Sequence, residues 1–274
     1  MSIHLDLPDA NYRARPALSY SGAKTLMRSP AAFHYELTHP RPPKTAFDLG
    51  HAAHKLILGE GAELVVVRDP GTGEPYGDWR KAAAKEQAAD ARAAGRVPLL
   101  QSQLDDAQAM ADAVLRHPVA GRLFERGAGH PEVSAFWEQD GVPCRARFDW
   151  LLEELDGRPV LVDAKTTDDV SDHALERVVD RWRYHWQDVS YRAALTAHGV
   201  DDAGFVFVFV ETDPPHLVRV VELDDAWRAS AELSMRDARA LYADCLASGQ
   251  WPGFPPEIHL LGRPRWAARH PEEH

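Results

Sequence analysis

The run Val160-Leu161-Val162-Asp163-Ala164-Lys165-Thr166-Thr167 is apolar at its start and ends in an acid, a small residue and a base. As a strand, its side chains alternate between faces, so Asp163 and Lys165 point the same way. Upstream, Cys144-Arg145-Ala146-Arg147-Phe148-Asp149-Trp150 is a second alternating run that also ends near an acid. The polar linker between them contains Asp156-Gly157, a strong hairpin signal. A hairpin there brings Asp149 close to Asp163. Two carboxylates converging with one lysine suit a hard divalent cation with a cationic group beside it, the chemistry of phosphodiester hydrolysis. The competing explanation is a surface ion pair, the default for Asp-x-Lys at a strand end. The second acid and the apolar approach favour a site, because burying three charges is costly unless a metal bridges the carboxylates.

Two further groups carry chemistry. His54 lies on the amphipathic stretch Phe47–Leu58, with Gly50 one turn before it clearing space and His51 three residues away. A lone histidine on such a helix is more often a packed core residue than a ligand. The absence of any His-Glu-x-x-His disfavours a zinc protease. Gln187 and Tyr191 stand four residues apart, so an amide and a phenol share one helix face. Taken alone, that pattern reads as an aromatic face packed on a sheet with Gln at its edge.

The elements that must position these groups follow from periodicity. Residues 1–16 read as an irregular lead-in. Ser19 or Ser21 caps one helix, and Ser29-Pro30 opens another that the prolines at 40, 42 and 43 end. Helix follows at Phe47–Leu58 and a short strand at Leu64–Val67. Trp79–Ala94 reads as a solvated helix with little apolar face, followed by helices near Ser102–Leu115 and Val119–Phe124. Gly127-Ala128-Gly129 is the best internal break. Beyond it, Glu132–Trp137, Val142–Leu152 and Val160–Thr166 suggest a meander, and Leu175–His198 a long helix or a broken pair. Phe205–Glu211 reads as a strand buried on both faces, Leu217–Leu223 as its neighbour, and Trp227–Ala247 as a final long helix. This order predicts an α/β (α+β) fold, a central mixed sheet flanked by helices. We expect one domain over 1–274: a mostly helical part at about 17–126, a sheet core at about 130–247 and an irregular tail at 248–274.

Composition sets outer limits. At 274 residues, with 45% hydrophobic and 27% charged residues, the chain matches a globular protein with a sizeable core. No apolar run is long enough to span a membrane, and the start does not read as a signal peptide, so a cytoplasmic protein is expected. Cys144 and Cys245 are two thiols far apart, too few for an iron–sulfur cluster. The net charge of −11 argues against coating nucleic acid by bulk attraction, but leaves room for a local basic groove.

In order, the chain offers Gly-x-x-x-His on a helix, an Asp after an Arg-rich strand, Asp-x-Lys-Thr-Thr and Gln-x-x-x-Tyr. This series resembles the PD-(D/E)xK nuclease superfamily, in its RecE-like and RecB-like exonuclease branch. Leu18-Ser19-Tyr20-Ser21-Gly22-Ala23-Lys24, Ser29–Phe33, Glu132–Trp137 and Arg145–Trp150 extend the likeness, which spans about 18–247. The resemblance implies a restriction-endonuclease-like core, two Mg2+ or Mn2+ ions and hydrolysis of DNA from an end. It implies His54, Asp149, Asp163 and the Ala164 carbonyl as metal ligands, with Lys165 beside the attacking water. Gln187 and Tyr191 would hold the phosphate or terminal nucleotide, with Thr166, Ser21 and Lys24 as weaker phosphate contacts and Glu132 as an accessory acid. Asp163 stands where many relatives carry Glu, which keeps the charge and shortens the reach. Arg145, Arg147, Arg177, Arg181 and Arg183 are candidates for a basic channel. The implied activity is a 5′ to 3′ exonuclease on duplex ends in recombination or repair, forming a ring and working with a single-strand annealing protein. The rivals are a RecB-like nuclease on single strands or flaps, and a catalytically inactive DNA-binding module.

Overall fold

A computed structural model describes residues 1–39 and 48–263. The expected helix stop at the prolines 40, 42 and 43, the Phe47 position and the tail beyond 263 lie outside the described residues. In chain order the elements are β1 (Ser2–His4), α1 (Asp9–Ala14), α2 (Tyr20–Arg28), α3 (Pro30–Thr38), α4 (Asp48–Leu58) and β2 (Leu64–Val66). Next come α5 (Ala82–Ala93), β3 (Val97–Leu99), α6 (Gln101–Arg116), α7 (Ala120–Leu123), β4 (Gly129–Gln139), β5 (Val142–Leu155) and β6 (Arg158–Thr167). The chain continues with α8 (Asp172–Trp182), α9 (Tyr184–Ala197), β7 (Gly204–Glu211), β8 (Val218–Val221) and α10 (Asp225–Ser248).

Six strands form one mixed sheet in the order β1-β4-β5-β6-β7-β8, with β6 and β7 parallel and the other pairs antiparallel. The β5–β6 hairpin turns at Asp156 (φ 52°) and Gly157 (φ 83°), the left-handed pair that an Asp-Gly turn supplies. The parallel step from β6 to β7 is bridged by α8 and α9, as a crossover requires. Both faces of the sheet are covered. Leu161, Phe205, Phe207 and Phe209 pack with α2, α9 and α10 on one side. Val160, Val162, Val206, Val208 and Val210 pack with α4 and α6 on the other. That double burial is why the β7 run Phe205–Val210 is apolar at every position.

The structure corrects three sequence expectations. The lead-in is not irregular: β1 pairs with the edge of β4, and α1 follows. Arg145 donates to the carbonyls of Tyr12, Arg13 and Arg15, and Arg147 to the carbonyl of Leu7 and to Asp9. Those two arginines hold the N-terminal segment down, and Arg147 also borders the cavity beside His54 and Glu132. The α5 helix is not solvated all round; Ala84, Ala88 and Ala91 are buried along one stripe. Short β3, parallel to β2, has no periodic signal because three residues cannot show one.

One buried ion pair anchors the helix that carries His54. Arg92 donates to Asp48 at 2.6 Å, with the Asp48 side chain 6% exposed. Asp48→Ala would strand that guanidinium, so unfolding in urea should show a loss of about 3–5 kcal/mol. A change within about 0.5 kcal/mol, the surface-substitution range, would show that the pair does not matter.

Candidate active site

The site forms where β4, β5 and β6 run side by side beneath α4 and α9. The Trp150↔Val162 and Leu151↔Leu161 pairings set the hairpin register. Asp149 and Asp163 are the residues next beyond the Trp150↔Val162 pair, on adjacent strands. The Asp149 carboxylate accepts the Ala164 backbone N–H at 3.2 Å, tying the two strand ends together. Asp163 is 1% exposed. It contacts the Lys165 ammonium through one oxygen and accepts from the Gln187 amide through the other. The oxygen facing Lys165 has no partner other than that ammonium.

Glu132 completes the acidic side. The β4–β5 pairing runs on both sides of it, Pro131↔Trp150 and Val133↔Phe148, and Glu132 itself has φ 52°. This left-handed residue in a strand coincides with a change of face. Phe148 packs with the α9 side of the sheet and Trp150 with the α4 side. The bend turns Asp149 and Glu132 toward α4. There His54 Nε2 lies 3.0 Å from Asp149, and its Nδ1 is 3.9 Å from Glu132. Gly50 serves a different neighbour from the one expected: a Cβ there would sit 3.4 Å from the Thr166 hydroxyl. The small residue lets α4 lie against the end of β6.

The electrostatics match crowded acids in a dry place. Burial, then the neighbouring Asp149 charge, pushes Asp163 up to about 7 despite Lys165. Burial opposes the charge on His54, but Asp149, Glu132 and Asp163 outweigh it and lift its pKa to about 9. Asp149 is also penalised by burial, yet His54 and Lys165 hold it below the usual carboxylate range. Burial, reinforced by Asp149, raises Glu132. Burial disfavours the Lys165 charge, and the two aspartates reverse that and raise its pKa.

The expected site residues separate into three groups. Asp149, Asp163, Lys165, His54 and Glu132 come together around one cluster. Gln187 and Tyr191 reach it from α9, but both are buried: Gln187 is spent on Asp163, and Tyr191 packs among Tyr20, Phe148 and Phe205. The α9 face is thus aromatic and packed on the sheet, with Gln187 buried against Asp163 and not at its edge. The weaker phosphate candidates stand further out. Ser21 faces Ser19 at 3.1 Å, Lys24 donates to the Trp182 carbonyl at 3.3 Å, and Thr166 abuts α4. Two tyrosines were missed. The Lys165 ammonium lies 5.0 Å from the Tyr184 ring, and the charges of Lys165 and Asp163 act on Tyr20. Tyr184 precedes Gln187 by three residues and shares its helix face, so its signal was present.

The donor set suits a divalent cation of the magnesium kind. Two buried carboxylates that repel each other, one with an oxygen free of hydrogen bonds, are what such an ion would neutralise. Among the described residues no three His, Cys, Asp or Glu side chains form a ligand set by themselves. Magnesium does not need one, because it binds through one or two carboxylates plus water and substrate phosphate. A closed structural zinc site, which needs four protein ligands, does not fit.

Comparison with known proteins places this geometry. The family described as "PDDEXK-like domain of unknown function (DUF3799)" matches residues 19–260. A crystal structure of a "Putative exonuclease" from Eubacterium rectale shares 15% identity, covering 95% of this chain and 96% of its own, with a TM-score of 0.63. At that identity the likeness establishes the restriction-endonuclease-like fold. The crystal structure of SSO0001 overlaps 81% of this chain and 84% of its own at 15% identity, with a TM-score of only 0.30. No curated protein matches the sequence.

Proposed function

The chain belongs to the PDDEXK-like DUF3799 family, and from that premise we propose that it is a metal-dependent DNA exonuclease hydrolysing phosphodiester bonds from the ends of double-stranded DNA. The observation that carries the metal-dependent hydrolysis is the convergence of Asp149, Asp163 and Lys165 at adjacent strand ends; action on the ends of duplex DNA rests on the resemblance to RecE-like exonucleases. Asp149 and Asp163 would hold the cation, Mg2+ or Mn2+ and two ions in the full complement, with His54 and the Ala164 carbonyl as further donors. A bound divalent cation supplies Lewis-acid polarisation of a phosphoryl oxygen and lowers the pKa of water toward neutrality. Lys165 brings a fixed positive charge to the place where the phosphorane gathers negative charge. Gln187 fixes the rotamer of Asp163; His54, which holds Asp149 in the metal-free site, would have to lose its proton and release that carboxylate to serve as a donor. Glu132 stands next to His54 as an accessory acid.

The finer parts rest on the resemblance to RecE-like enzymes: 5′ to 3′ polarity, a ring of identical subunits, an annealing-protein partner, a recombination or repair role, a cytoplasmic setting, and the whole chain acting as one nuclease unit. No described helix is long and apolar enough to cross a membrane.

Digestion of linear, nicked and closed circular duplexes with and without Mg2+ tests the proposal. The linear form should disappear in Mg2+ while the closed circle survives. Cleavage of the closed circle at an equal rate would replace the exonuclease with an endonuclease, and no cleavage of any form would leave the inactive binding module. His54→Ala should raise the Mg2+ concentration needed for half-maximal cleavage by about 10- to 100-fold, the usual effect of losing a group that orients a metal-binding carboxylate. An unchanged Mg2+ requirement would remove His54 from the site.

A further inference from the structure

Beside the acidic cluster, between α2 and the α8–α9 junction, lies a cleft of about 530 Å³. Its walls carry Lys24, Arg28, Arg181 and Arg183 with Trp182 and Trp186, and include no acid. In a chain with 42 acidic and 31 basic residues, four cations around two indoles form a local reversal of charge. Lys24 Nζ is 5.3 Å and the Arg181 guanidinium 5.4 Å from the Trp182 ring, and Arg183 is 5.9 Å from the Trp186 ring. Arg183 is held open at the helix break by φ 58°, and it leans on Asp180. Arg28 has a distant partner, Glu36, at 3.9 Å. Trp182 is 42% exposed, unusual for so large an apolar ring. Trp186 is 7% exposed, yet its Nε1 has no hydrogen-bond partner. The cleft also neighbours the candidate active site: Lys24 donates to the Trp182 carbonyl, and Tyr184, next after Arg183, places its ring 5.0 Å from the Lys165 ammonium.

We propose that this cleft binds an unpaired DNA strand, with a base stacked on Trp182 and phosphates on Lys24, Arg28, Arg181 and Arg183. Each part of the chemistry has a place. An indole offers every base a stacking face without regard to sequence, and the guanidinium and ammonium groups follow the backbone. The volume is that of a small-ligand pocket, room for a nucleotide or two and not for a duplex. Position adds the rest: Trp182 and Arg183 lead directly into Tyr184, whose ring lies 5.0 Å from the Lys165 ammonium. A duplex end would therefore have to open locally before its strand is cut. This deepens the nuclease proposal, and rests on it for the identity of the bound strand as substrate.

The test is binding without hydrolysis. A labelled oligothymidylate of about 12 nucleotides is titrated with the protein in EDTA and followed by anisotropy, with a blunt duplex of equal length as competitor. Trp182→Ala should weaken binding by about 5- to 100-fold, as loss of one stacked base does. Trp182→Phe should restore most of it, which separates stacking from a folding defect. Arg181→Gln should weaken binding and flatten its dependence on salt. Tyr35→Ala, an exposed aromatic outside the cleft, should bind as the parent does. The proposal is overturned if the parent protein does not bind the strand, if Trp182→Ala binds unchanged, if Tyr35→Ala loses as much, or if the duplex displaces the strand mole for mole. A protein that binds through Trp182 but never cleaves DNA would overturn the enzyme and leave the cleft standing. One that cleaves while Trp182→Ala binds normally would overturn the cleft alone.

Discussion

Asp163→Asn should reduce Mg2+-dependent cleavage of linear duplex by on the order of 10³-fold, the scale set by removing one fixed electrostatic group from a reacting centre. The substitution is chosen because it removes charge and little else. Asparagine keeps an oxygen that can accept from Gln187, as Asp163 does. It removes a carboxyl whose pKa burial and then repulsion from Asp149 push up to about 7, and Lys165 retains Asp149 as a nearby counter-charge. The variant should therefore fold, and in a chelator it should melt no earlier than the parent. Activity within tenfold of the parent would take Asp163 out of the reaction.

Lys165→Met should act in both directions at once. Catalysis should fall by about 10²- to 10³-fold, because the fixed cation beside the reacting phosphate is gone. Stability without metal should fall as well, because Asp163, 1% exposed, loses its ionic partner and faces Asp149 alone. Breaking a buried pair from one side costs about 3–5 kcal/mol. A bound cation would take over that neutralising role, and ligand at 100 times its Kd adds about 2.7 kcal/mol. The rise in melting temperature on adding Mg2+ should thus be larger for Lys165→Met than for the parent. Equal rises in the two proteins would mean that the ion does not share the environment of Asp163.

Much of this site was legible because its parts are local. Asp156-Gly157 fixed the hairpin, and alternation along β6 put Asp163 and Lys165 on one face. The single residue Arg183, left-handed at φ 58°, divides what reads as one long helix into α8 and α9, and no Gly or Pro marks the break. What stayed hidden depends on contacts distant in sequence. Arg145 and Arg147 are basic and alternate, so they resemble groove residues; only the docked N-terminal segment shows that they hold it in place. The buried stripe of α5 is all alanine, which carries almost no hydrophobic signal until a neighbour covers it. Glu132 gained its position from a backbone bend that ordinary strand alternation cannot express. The resemblance assigns Gln187 to the phosphate, while in the fold its amide is committed to Asp163.

The central claim is that Asp149 and Asp163 share a divalent cation. Crystals of the protein soaked in Mn2+ and measured at the manganese absorption edge test it without any substrate. An anomalous peak should lie within coordination distance of both carboxylates, at about 2.1 Å, and should vanish in Asp163→Asn. A saturating soak that leaves the space between the two aspartates featureless, or that puts the ion elsewhere on the protein, would contradict it.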